Sequence, residues 1–195
     1  MKNIFKLFFA GLLGSVVLGM ASPALVASPT LSAEDESIQD LVPTKSEGTI
    51  TSAMSQLERM YHQDFSNTNA IPALKKLLTD ERSLVRRKAA RLLGVFHAQL
   101  TDDEIKEICM QLRSTWSEEC SALKALRDLD AKQAVPDVLP LLRDSNSDVV
   151  RDACRTLAVI ANKSVIPSIE PLLHSPNARV VEDARKAIDQ LKLKS

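Results

Sequence analysis

Apolar residues return along this chain in two interleaved helical stripes with a period of about thirty positions. Ala89, Ala122, Ala153 and Ala184 stand 33, 31 and 31 residues apart. Four residues after each comes Leu93, Leu126, Leu157 or Ile188, and three further on comes Phe96, Leu129, Ile160 or Leu191. A second set precedes each of these. It starts at Ile71, Ile105, Val135 and Ile166, and continues three residues on at Leu74, Ile108, Val138 and Ile169. Its last two ranks are Leu77, Gln111, Leu141 and Leu172, then Leu78, Leu112, Leu142 and Leu173. Such spacings trace one face of a helix and not a strand alternation. A period of this length marks a stacked array. The pattern predicts an all-α fold, an α-solenoid of about four stacked helix pairs. The recurrent alanine has a physical reason, since a small side chain lets two helix backbones approach closely.

The flanks of the stripes agree. Residues 50–65 put Ala53, Leu57 and Met60 on the same frame, as the second helix of a degenerate repeat that caps the N-terminal end. Ser66 to Asn69 breaks the pattern with turn residues. Pro72, Pro136 and Pro167 sit near helix starts, where a missing N–H costs nothing. Pro140 and Pro171 fall inside first helices and should kink them at one place in two repeats. Thr101 to Glu104 and Thr115 to Glu118 have capping-box form, and Ser175-Pro176 reads as a cap with proline at the first helical position.

Upstream the pattern changes. Lys2 and Lys6 precede an apolar run from Leu7 to Leu18, which is shorter than the ~20 residues of a comfortable span. Residues 1–27 read as a signal peptide cut after Ala21 or Ala27, the alternative being an uncleaved anchor. Export places the mature chain in the periplasm or outside the cell. Residues 28–48 are rich in Ser, Pro and acid and read as a disordered linker, leaving 49–195 as the solenoid domain. The apolar share of 45% allows a sizeable core, and aromatics of 4% suit helices better than sheets. Without the first 27 residues the chain holds 23 basic and 25 acidic residues, so nothing global points to nucleic acid or an anionic membrane. Cys109, Cys120 and Cys154 read as three unpaired thiols, the alternative being one disulfide with one thiol over.

These residues resemble HEAT repeats, above all the short HEAT-like units of the phycobilisome-lyase type. Residues 70–80 with Val85-Arg86 and Ala89 fit almost throughout. Residues 134–144 with Val149, Val150, Arg151 and Ala153 fit with the arginine one place late. Residues 165–173 with Val180, Val181 and Ala184 keep the core, but Ser175 stands where the turn aspartate belongs. Residues 101–131 keep the apolar ranks yet have no proline and no Val-Arg. The resemblance covers residues 69–192 and implies a ladder between repeats, built from turn aspartates Asp80 and Asp144 and helix arginines Arg86 and Arg151.

No catalytic, cofactor-binding or metal-ligating constellation stands out. His62, His97 and His174 are scattered singly, and the glycines beyond the signal are only Gly48 and Gly94. Carboxylates paired near helix starts, such as Glu118 and Glu119, read as surface charge favoured by the helix dipole. Trp116, at another start, reads as packing. Arg82, Arg86, Arg87, Lys88 and Arg91 crowd one helix, with Lys75 and Lys76 before it, while the next repeat is acidic. That is either a basic groove for an acidic partner or a set of opposite charges paired between layers. The expected function is an exported, non-catalytic scaffold for a protein partner of unidentified kind, monomeric, without cofactor, metal or nucleic acid. It would touch the membrane only if the N-terminal segment stays uncleaved. The contact surface would be the polar ridge of second helices: Arg87, Arg91, Lys124, Arg127, Arg155 and Arg185. The resemblance also allows a lyase or chaperone acting on a chromophore-bearing or other client, and the anchor would make a tethered structural module.

Overall fold

The computed structural model describes residues 33–62 and 69–194, which fall within one compact unit, Leu31–Ser195. The expected signal peptide, the first residues of the expected linker and most of the break at 66–69 lie outside the described residues.

Ten α-helices and no strand occur among the described residues. They run α1 (Ala33–Gln39), α2 (Glu47–Tyr61), α3 (Ile71–Lys76), α4 (Ser83–Val95), α5 (Asp102–Met110), α6 (Trp116–Asp128), α7 (Val135–Val138), α8 (Ser147–Ile160), α9 (Ile166–Ile169) and α10 (Ala178–Leu193). The second helices α2, α4, α6, α8 and α10 pack in that order, each on the next, as a solenoid requires. The recurrent Ala89, Ala122, Ala153 and Ala184 are wholly buried between these layers. Gly94 brings two layers closer still: a Cβ there would stand 3.1 Å from Ala125 Cα.

The first helices are short α segments finished by a tighter 3₁₀ turn. Where no proline intervenes, that turn covers three residues, Leu77–Thr79 and Gln111–Arg113. With Pro140 and Pro171 it covers five, Leu139–Arg143 and Glu170–His174. A proline has no N–H to give the α ladder, so the helix passes early into the 3₁₀ form. The interior prolines therefore rewind the helix where a kink was expected.

Three readings of the local sequence need correction. Residues 28–48 do not form a spacer throughout: α1 begins at Ala33, and Ser37 and Leu41 are buried beside α2. Two apolar positions, Ile38 and Leu41, were enough to dock this short helix. The capping box at Thr101 forms with both reciprocal bonds, but Thr115 makes no side-chain cap, its hydroxyl donating to the Glu118 carboxylate at 3.3 Å instead. Finally, the cap of α10 is Asn177 and not Ser175. Ser175 Oγ accepts from Asn177 N at 3.3 Å, and Asp80 and Asp144 accept likewise from Arg82 N and Asn146 N at 2.9 and 2.6 Å. The serine thus does the turn work of the missing aspartate.

Candidate functional site

The basic residues of α3 and α4, exposed Lys76 apart, are engaged within the stack. Arg82 holds Asp80 through two nitrogens, Nε at 2.7 Å and Nη2 at 2.6 Å, and donates to the carbonyls of Pro43 and Lys45 ahead of α2. Arg86 donates to Asp80 O and Glu81 O, both at 2.8 Å, and to Glu118 on α6 at 3.3 Å. Arg87 reaches Ser117, Lys88 reaches Thr51 O and Ser55, and Arg91 pairs with Glu58. Lys75 bridges to Glu104 at 2.9 Å. Lys75, Arg86 and Arg91 thus pair with acids of neighbouring layers, Arg87 and Lys88 reach neutral oxygens there, and Lys76 stays exposed.

The expected ladder exists in altered form. Arg86 and Arg151 do cross to the following layer, but their acceptors are second-helix acids, Glu118 and Asp183. Arg155 joins Arg151 on Asp183 at 2.9 Å. Asp80 stays with Arg82, which holds its carboxyl below the usual range. Burial pushes Glu118 up, yet Ser114, Arg86 and Thr115 together hold it below its ordinary value.

Of the six ridge residues proposed for contact, Arg87, Arg91 and Arg155 are tied to Ser117, Glu58 and Asp183, and Arg127 lies 3.7 Å from its neighbour Asp128. Lys124 and Arg185 are exposed. A cleft of about 330 Å³ brings Arg127 and Arg155 together with Lys186, Asp183 and Gln190. Lys186, next to Arg185, and Gln190, one helical turn after Lys186, escaped the sequence reading. A further cleft, about 730 Å³, lies between the loops after α6 and α8 and is walled by Val135, Val159, Val165 and Lys194.

The second repeat departs from its neighbours. Glu118 and Glu119 are not surface charges, being 3% and 9% exposed. The position four before the recurrent alanine is Val85, Val149 and Val180 elsewhere, so Glu118 occupies a core rank. Gln111 occupies a leucine rank, is buried, and keeps its amide nitrogen and oxygen without a hydrogen-bond partner among the described residues. Trp116, expected to pack, is 59% exposed. An alignment of the repeats on their alanines would have exposed the two glutamates; nothing in the sequence marks Trp116.

Among the described residues no three His, Cys, Asp or Glu side chains gather as a metal set. The cysteines are free, and burial pushes each thiol up to about 12, so none is a thiolate at neutral pH. His97, at φ 46, ends its loop in the left-handed region with Nδ1 3.0 Å from Asp128 O.

The family model for HEAT repeats matches residues 105–189. Among solved structures, the complex of CpcE and CpcF of phycocyanin lyase from Nostoc sp. PCC7120 is similar over 93% of this chain and 71% of that one, with TM-score 0.66 and 24% identity. An engineered protein from the Northeast Structural Genomics Consortium is similar over 83% of this chain and 80% of that one, with TM-score 0.60 and 23% identity. At such identities the likeness concerns the fold. No curated protein matches the chain.

Proposed function

We propose that this chain, whose residues 105–189 match the HEAT-repeat model, is an exported, non-catalytic scaffold that binds another protein along its second-helix ridge. The observation that carries the reading is how the ridge spends its charge. Partners in the neighbouring layers engage the cations of α4, Arg86 and Arg91 through acids and Arg87 and Lys88 through neutral oxygens, whereas Lys124 and Arg185 stay exposed. A pairing of that kind keeps the layers in register and leaves an accessible polar surface on α6 to α10. The contact set is therefore centred on exposed Lys124 and Arg185, flanked by Arg127, Arg155 and Lys186, which already pair with Asp128, Asp183 and Glu182, and an acidic patch on the partner suits the two exposed cations. Arg87 and Arg91 serve the stack. The likeness to the phycocyanin lyase complex supports the architecture and leaves that protein's activity with that protein.

Export rests on Lys2, Lys6 and the apolar run that follows. Expression with its own N-terminus, followed by intact mass, tests it: a mature chain starting at Ser22 or Ser28 in the extracytoplasmic fraction is expected. A full-length mass in the membrane fraction would make the protein a tethered module. Pull-down from that fraction with the wild-type chain and with Lys124→Glu/Arg185→Glu tests the ridge. A protein retained by the first and lost by the second is the expected result, and equal retention overturns the assignment.

A further inference from the structure

The joint between α6 and α8 lacks what the other joints have. Arg91–Glu58 ties α4 to α2, Arg86–Glu118 ties it to α6, and Arg151–Asp183 ties α8 to α10. Between α6 and α8 no ion pair joins the two second helices among the described residues. Two carboxylates meet there instead. Three residues before the recurrent alanine, where the first repeat carries Arg86, the second carries Glu119. Glu119 is 9% exposed, feels the negative charge of Asp144, and has no hydrogen-bond or ion-pair partner among the described residues. Asp144 has one oxygen on Asn146 N at 2.6 Å. The arginine that serves Asp80 in the first repeat, Arg82, is replaced by Asn146 in the third.

Trp116 stands three residues before Glu119 on α6, so the two share a helix face. It is the chain's one tryptophan, and its ring is 59% exposed. An exposed indole beside an unpaired carboxylate attracts a cation, through the ring face and through charge-assisted hydrogen bonds. A guanidinium fits this combination better than an ammonium, being planar, weakly hydrated and able to bind carboxylates with a fork of donors.

We propose that Trp116, Glu119 and Asp144 form a docking point for an arginine side chain presented by a partner protein. The chain shows the same chemistry one layer away, where Arg86 covers buried Glu118. The incoming arginine supplies to the α6–α8 joint the cation that this chain supplies to its other joints. Burial and the charge of Asp144 already hold Glu119 above the ordinary carboxylate range, as befits an acid in want of a counter-charge. The site lies apart from the ridge cleft, which is basic and suits an acidic patch. It rests on the protein-binding reading for its partner, but not on which protein that is.

The test uses Trp116 emission in the full chain. Acetyl-Gly-Arg-Gly-amide is titrated at low salt beside the glutamine peptide of the same length. A saturable change with the arginine peptide is expected, weakened roughly tenfold or more by the glutamine peptide, by Glu119→Gln and by Asp144→Asn. Glu170→Gln, an exposed acid elsewhere, should bind as wild type. Circular dichroism checks that each variant is folded, and Asp144→Asn, an isostere at a half-exposed turn, keeps the test alive should Glu119→Gln unfold. A flat titration, equal binding of both peptides, or undiminished binding by a folded Glu119→Gln or Asp144→Asn overturns the proposal. So does a peptide-independent emission change that tracks protein concentration, which would assign the site to a second copy. A failure of the peptide leaves the ridge pull-down unaffected, and the two readings fall separately.

Discussion

At the scale of single residues, the layers are held apart by very small distances. Gly94 sits within α4, where alanine is ordinarily favoured by ~1 kcal/mol. Its Cβ would press on Ala125 Cα at 3.1 Å and Ala125 O at 3.3 Å, both backbone atoms of α6. Backbone in a packed helix yields only by moving the layer, so the clash outweighs the helical gain. Gly94→Ala should lower stability by about 1 kcal/mol and Ala122→Leu by about 1–3 kcal/mol, typical of overpacking, and urea denaturation reads both. Carboxylates bound within the stack respond to pH in opposite senses. Asp80, Glu104 and Glu118 lie below their ordinary values when folded. The stability each contributes is present above its unfolded value and is lost as pH falls through its folded value. Glu119 lies above its ordinary value of 4.5, so the folded chain holds that proton more tightly and loses stability as pH rises from there through the folded value. Glu119→Gln should therefore stabilise the chain at pH 7 relative to pH 4.5, compared with wild type. A denaturation series across that window checks the sign.

Between elements, each joint has its own means of holding register. Asp183, with a side chain 8% exposed, anchors both Arg151 and Arg155 across the α8–α10 joint. Hydrogen bonds to charged groups contribute ~1.5–3 kcal/mol each, and the 41% exposure of Arg155 puts its share at the low end or under it. Asp183→Ala should cost about 2 kcal/mol. The α6–α8 joint uses a neutral bond instead, from buried Thr156 Oγ1 to Leu123 O at 3.0 Å. Leu123 O lies inside α6 and keeps its place in the helical ladder, so Thr156→Val loses only the net value of one hydrogen bond and should cost about 0.5–1.5 kcal/mol, measured by the same denaturation.

Among the described residues the main contacts of each layer are with its neighbours, and stability is distributed along the stack. Loss of Asp183 should then open α9 and α10 while α4 and α6 keep their protection. Hydrogen exchange by mass spectrometry should show faster exchange in residues 166–193 alone. Uniform acceleration along the chain would mean that the layers unfold as one block.

The apolar ranks, and with them the helix pairs, the stacking order and the α2 cap, were legible in the bare sequence, because side chains that meet once per layer must recur once per layer. The turn aspartates were legible as positions, since their bonds reach only two residues on. What the sequence could not decide was where long polar side chains end up. Arg86 finds Glu118 and not an aspartate, and Glu119 is buried against Asp144, because a charge takes whatever partner the neighbouring layer brings within reach. Trp116 stays exposed for the same kind of reason: its place at a helix start says nothing about whether another layer covers it. Periodicity is a one-dimensional property and survives in the string of letters, whereas pairing and exposure depend on distances that exist only once the layers have closed.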